Sequence, residues 1–114
     1  MPEFKIEKLP GDGAGVEILR LTGPFTLSGV FEFQDIIRGG LAAATIVDFA
    51  GVPYMDSAAL GSVIGLHVSC QHRNAKYALV SVSDRLKTLF RVAGVAGLLT
   101  ICESLPEAEA KLAQ

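Results

Sequence analysis

The stretch TIVDFAGVPYMDSAALG, residues 45–61, is the most informative part of this chain. Its first half, Thr45–Val52, is a nearly continuous apolar run, which is typical of a buried strand. A long helical pattern follows, so Asp56 and Ser57 fall where a strand gives way to a helix. The unpaired N–H groups and partial positive charge of a helix N-terminus favour phosphate and other anions. The sequence therefore predicts that an oxyanion bound beside Ser57, or attached to it, is the chemistry of this turn.

The segments before this stretch predict a hairpin and one helix. Residues 4–9 and 16–21 alternate apolar and polar side chains on either side of a glycine-rich turn at 10–15, which is typical of an antiparallel β-hairpin. From Ser28 the period becomes that of a helix, which ends at Gly39. The apolar residues of this helix share one side: Val30, Phe33, Ile36 and Ile37.

The segments from Ser57 onward predict three further helices and two strands. The first helix runs from Ser57 to about Asn74, and its expected core positions are Leu60, Ile64, His67 and Val68. A strand at 77–80, a helix capped by Ser83 and ended by Gly94, an edge strand at 98–102 and a final helix capped by Ser104 follow. The order ββαβαβαβα predicts an α/β fold, with a mixed β-sheet of about five strands and four helices packed on it, as a single domain over 1–114.

Composition excludes several classes of function. Half of the 114 residues are hydrophobic and 19% are charged, which excludes a disordered chain, and a net charge of -2 argues against nucleic acid or an anionic membrane as a partner. No apolar run reaches the roughly 20 residues of a membrane span, and no signal-like segment opens the chain, so we expect a cytoplasmic protein. Cys70 and Cys102 form no CxxC and lack ligand-like spacing to a histidine, so we expect two buried thiols, no metal and no cofactor.

The pattern around Ser57 argues against an enzyme. Its neighbours lack the glycines of the G-x-S-x-G nucleophile motif, and no phosphate-cradling G-x-x-x-x-G-K is present. His67 lies ten residues further along the same predicted helix, which at 1.5 Å per residue places it about 15 Å from Ser57. We therefore expect no catalytic residues.

The order and spacing of these segments resemble the STAS domain, the fold of small bacterial anti-sigma factor antagonists. The resemblance rests on the hairpin, the strand 47–52, the turn 55–61, the helix end at 93–95 and the late segment 104–108. It implies regulation by partner switching. A switch kinase, which is also the anti-sigma factor, would phosphorylate Ser57 and so release the antagonist, and a phosphatase would reset it.

The turn and the helix that follows it supply the predicted partner interface, which consists of Thr26, Asp56, Ser57, Ala58, Gly61 and Gly65. Ser57, Gly61, Gly65 and Ser69 recur every four residues and so share one helical stripe. A mid-helix glycine costs about 1 kcal/mol against alanine, so a compensating close approach is expected. That approach involves either a partner protein or this chain's own sheet or neighbouring helix, and the same stripe would suit a homodimer.

Three positions favour a second hypothesis. The STAS antagonists usually carry Ser or Thr and then Gly where this chain has Ala58 and Ala59, and an aspartate where it has Thr26. These residues fit a non-switching STAS module that serves as a subunit of a transporter ATPase or of a signalling assembly. Two local alternatives also remain. Ser57 either switches or only satisfies backbone N–H groups, and Asp48 either bonds the following turn or belongs to the switch surface.

Overall fold

A computed structural model describes residues 3–13 and 15–113, so Ala14 of the predicted turn lies outside the described residues. The elements follow the predicted order. They are β1 (Lys5–Pro10), β2 (Val16–Thr22), α1 (Leu27–Arg38), β3 (Ala44–Gly51), α2 (Ser57–Arg73), β4 (Lys76–Val80), α3 (Asp84–Val92), β5 (Ile101–Cys102) and α4 (Leu105–Leu112).

The strands form one mixed sheet in the spatial order β1-β2-β3-β4-β5. β1 pairs antiparallel with β2 as the predicted hairpin, and the remaining neighbours are parallel. Helices α1, α2 and α3 contribute to the core cluster on one face of the sheet, and α4 packs on the other face. The predicted fold class is therefore confirmed.

The central strand β3 explains why residues 45–52 read as a nearly continuous apolar run. Val47 and Phe49 face the large core beneath α1 and α2, whereas Ile46 faces the smaller core beneath α4. A strand covered on both faces needs apolar side chains at nearly every position. Thr45 and Asp48 are the polar exceptions, and Asp48 lies on the α4 side of the sheet because side chains alternate along a strand.

Two predicted details are wrong. Val68 is 42% exposed, because the buried stripe of α2 consists of Ala59, Val63, Leu66 and Cys70, and Val68 lies on the other side of the helix. The predicted edge strand 98–102 shortens to Ile101–Cys102, because the amides of Leu98 and Leu99 bond back to the carbonyl of Val95 in a turn.

The parallel pairing of β2 and β3 continues past both strands and brings two helix starts side by side. The Phe25 amide donates to the Tyr54 carbonyl at 3.0 Å, and the Asp56 amide donates to the Phe25 carbonyl at 3.2 Å. Phe25 itself is fully buried and stacks on Phe4 with ring centroids 4.6 Å apart. Since Thr26 and Asp56 are the N-caps of α1 and α2, this pairing fixes the relative position of the two helix starts.

We predict that both thiols are inert in the native protein. Cys70 and Cys102 are each 2% exposed, and burial raises the pKa of both thiols. A thiol reagent that attacks the thiolate should therefore leave both unlabelled at pH 8 and label both in 6 M guanidinium chloride on the order of minutes. Labelling of either cysteine at the same rate in native and unfolded protein would contradict this packing.

Candidate phosphorylation and partner-binding site

The carboxylate of Asp56 caps two helices at once. Its Oδ1 accepts from the Ala59 amide at 2.9 Å, inside the first turn of α2. Its Oδ2 accepts from the Leu27 amide at 3.0 Å, at the start of α1. The Thr26 side chain makes no capping bond of its own. Asp56 therefore neutralises the positive ends of both helices and ties them together.

Ser57 is the first residue of α2 and is exposed. No hydrogen bond links its hydroxyl to another described residue, because Asp56 already accepts the bond that caps the helix. The reading in which Ser57 only satisfies backbone N–H groups therefore does not describe this structure. The hydroxyl is accessible at a helix N-terminus, where an attached anion is electrostatically favoured.

Thr26 lies beside this turn and is half-buried. Its Oγ1 is 3.2 Å from the Oγ of Ser28, so two further hydroxyls lie at the start of the neighbouring helix. The fold thus brings Thr26, Asp56 and Ser57 to one edge of the molecule, as the resemblance implied. Ala58 differs from them, because its half-buried side chain packs against the large core.

Gly61 and Gly65 are exposed on the outer side of α2, and a methyl group built on either would meet no described atom within 4 Å. They line a groove of about 170 Å³ with Gln34 and Arg38 of α1. The close approach expected to compensate for the low helix propensity of these glycines is therefore absent within the described chain. The explanation by this chain's own sheet or neighbouring helix is therefore not supported, and the explanation by a partner stays a prediction.

Asp48 is occupied elsewhere. Its Oδ1 accepts from the Ala50 amide at 2.9 Å, where the register between β2 and β3 shifts, and its Oδ2 lies 3.7 Å from Nε of Arg20. The bond is therefore to an amide within β3 and not to the following turn, as one of the two sequence alternatives had it. Because Asp48 projects from the sheet face opposite to α2, it does not contribute to the surface around Ser57.

His67 is a structural residue. Its Nδ1 lies 2.7 Å from the Tyr77 hydroxyl, which also accepts from the Thr100 amide at 3.1 Å. This network joins α2 to β4 and to the segment before β5. In the part of the chain that the structure describes, no three His, Cys, Asp or Glu side chains converge as metal ligands would. Over residues 3–13 and 15–113, no helix has the length and apolar character needed to cross a bilayer.

Two residues beside the site were missed from the sequence. Leu27 is 56% exposed and Phe31 is 66% exposed, one turn apart on α1. A signal for them was present, because neither shares the side defined by Val30, Phe33 and Ile37. Their closeness to Ser57 was not predictable, since it depends on the bond between Leu27 and Asp56.

Known proteins share this sequence pattern and this fold. The STAS domain family model matches residues 7–108. The anti-sigma-B factor antagonist of Listeria monocytogenes is 36% identical over 77 residues, which is 68% of this chain and 68% of that protein. A candidate anti-sigma factor antagonist from Thermotoga maritima superimposes with a TM-score of 0.83 at 16% identity, over 97% of this chain and 95% of that one. The Bacillus cell fate determinant SpoIIAA in its phosphorylated form superimposes with a TM-score of 0.68 at 19% identity, over 98% of this chain and 100% of that one.

We predict that Asp56→Ala lowers the free energy of unfolding by about 2–3 kcal/mol, since both helix starts lose a charged acceptor. Urea denaturation followed by circular dichroism measures the loss. Asp35→Ala is the matched control, because it removes the same charge from an exposed pair with Arg38 and should cost less than about 0.5 kcal/mol. Equal losses in the two variants would contradict the double cap.

We predict that Gly61→Ala stabilises the isolated protein by roughly 0.5–1 kcal/mol. Alanine is the better helix former, and the added methyl group meets open space. The same denaturation measurement tests this. Gly29→Ala provides the contrast, because its methyl group would clash with the Phe4 ring and should destabilise the protein. A loss of stability in Gly61→Ala would show that this glycine is needed for folding.

Proposed function

Because the chain belongs to the STAS domain family, we propose that it is an anti-sigma factor antagonist that phosphorylation of Ser57 releases from its partner. In this proposal the partner is an anti-sigma factor that is also the serine kinase, and a phosphatase restores the binding form. The observation that carries the proposal is that the helix cap and the exposed hydroxyl at this turn belong to two different residues. Asp56 makes the capping bonds, and the neighbouring Ser57 hydroxyl is exposed and unbonded.

The fold should tolerate phosphate on Ser57. The modification adds a charge of about -1.5 to -2 at a position where an anion gains roughly 0.3–1 kcal/mol from the helix dipole. It removes no hydrogen bond, because the hydroxyl makes none with the described residues. The likeness to SpoIIAA in its phosphorylated form is consistent with a fold that accommodates phosphate.

Binding to the partner should be far more sensitive than folding to a phosphate on Ser57. A phosphate beside Asp56 places like charges together, and at about 4 Å they repel by about 1 kcal/mol in water but by about 4 kcal/mol when the effective dielectric constant falls to near 20. A covering partner would exclude water and strengthen that repulsion, and would also have to desolvate the phosphate. Asp48 does not add to this repulsion, because it projects from the opposite face of the sheet. A fraction of it suffices, because 1.4 kcal/mol changes affinity tenfold.

We predict that an anti-sigma factor with serine kinase activity from the same organism, supplied with ATP, places one phosphate on Ser57. Mass spectrometry of the digested protein locates the modification. Ser28→Ala is the matched control, because Ser28 is also exposed and lies in the first turn of the neighbouring helix. Phosphorylation should persist in Ser28→Ala and vanish in Ser57→Ala.

The mimic Ser57→Asp separates binding from folding in the same system. Ser57→Asp should weaken binding to the kinase, measured by calorimetry in the absence of ATP, at least tenfold. It should shift the free energy of unfolding by less than about 1 kcal/mol. Unchanged modification of Ser57→Ala, or full binding by Ser57→Asp, would refute the switch. Co-purification with a transporter ATPase that ignores Ser57→Asp would instead support the structural-module hypothesis.

A further inference from the structure

We infer that Leu27 and Phe31, on the outer side of α1, are the apolar anchors by which this chain holds the anti-sigma factor. The inference rests on the proposed function and deepens it, because it assigns binding strength to side chains that neither receive the phosphate nor cap a helix.

The exposure of Phe31 is unusual within this chain. It is 66% exposed, whereas four other phenylalanines are at most 1% exposed. These are Phe25, Phe33, Phe49 and Phe90. Leu27, one helical turn earlier, is 56% exposed, so the two side chains form an adjacent pair on the surface. Neither belongs to the core clusters or to the partly buried residues packed against them.

This pair begins beside the proposed phosphorylation site. The backbone amide of Leu27 is bonded at 3.0 Å to the carboxylate of Asp56, the residue before Ser57. A partner that touches the Ser57 hydroxyl therefore reaches Leu27 with little further extension, and Phe31 follows one turn along α1. A phosphate on Ser57 would place its charge at the margin of this apolar contact, where desolvation is most costly.

The same pair continues the groove between the helices. Leu27, Gln34 and Arg38 are separated by seven and eleven residues, so they share one side of α1. Gln34 and Arg38 line the groove together with Gly61 and Gly65. The surface therefore has a ridge of large side chains on α1 and a low floor of glycines on α2. It would accept a protruding element of a partner, with the ridge inserted into an apolar pocket.

Two exposed apolar side chains are a smaller patch than the large, more hydrophobic interface of an obligate homodimer, which favours a heterologous partner over a second copy of this chain. A stable interface buries about 800 Å² on each side, which two side chains cannot supply. Interfaces of that size concentrate their energy in a few aromatic or aliphatic anchors surrounded by small and polar contacts. The glycine floor, the Ser57 turn and the Asp35–Arg38 ion pair supply such surroundings. The occupant of this surface is thus the anti-sigma factor that reads Ser57.

The test compares three exposed apolar residues by calorimetric titration with the anti-sigma factor. Phe31→Ser should weaken binding at least tenfold, and Leu27→Ser at least threefold. Val92→Ser, at a residue on α3 that is 79% exposed, should change affinity less than twofold. Urea denaturation should show all three variants folded, and Phe31→Gln replaces Phe31→Ser if the serine variant unfolds.

The outcomes separate this inference from the proposal beneath it. Failure of the wild-type protein to bind the anti-sigma factor would overturn the proposed function. Binding by wild type and release by Ser57→Asp, with Phe31→Ser as tight as wild type, would overturn the anchors alone. A wild-type dimer in sedimentation that Phe31→Ser dissociates would also overturn them, since the ridge would then hold a second copy.

Discussion

The carboxylate of Asp56 is the interaction on which the functional end of this molecule depends. One oxygen holds the first turn of α2 and the other holds the start of α1, 29 residues away in sequence. The parallel pairing of Phe25 with Met55 brings these two helix starts within reach. Without that carboxylate, the N-termini of both helices would lose the acceptor that they share.

This arrangement gives the capping bonds to Asp56 and leaves the neighbouring Ser57 hydroxyl exposed. Asp56 is committed to capping, so Ser57 is free to carry a group without loss of a structural bond. The glycines on α2 follow the same logic, since they fill no tight space within the described chain and yet occupy a helix that alanine would suit better. Residues that folding does not need are gathered on one side of the α1–α2 pair.

Sequence reasoning succeeded where the physics is local. Periodicity located the helices, and the caps at Ser83 and Ser104 were readable because each bonds an amide three residues away. It failed for Val68, because a short apolar pattern gives the period of a helix but not which side meets the sheet. It found Asp56 and Ser57 but not the bond to Leu27, and it left Asp48 undecided. The bond between Leu27 and Asp56 and the contact between Arg20 and Asp48 both depend on which strands become neighbours in the sheet.

The outer strand β1 bears on how the free protein behaves between partners. It forms one border of the sheet, where unpaired backbone groups invite another strand to add. Lys5, Glu7 and Lys8 are exposed along it, and Pro10 closes it without an amide to donate. Such a border resists edge-to-edge aggregation. The free protein would therefore stay dispersed in solution instead of adding strands edge to edge.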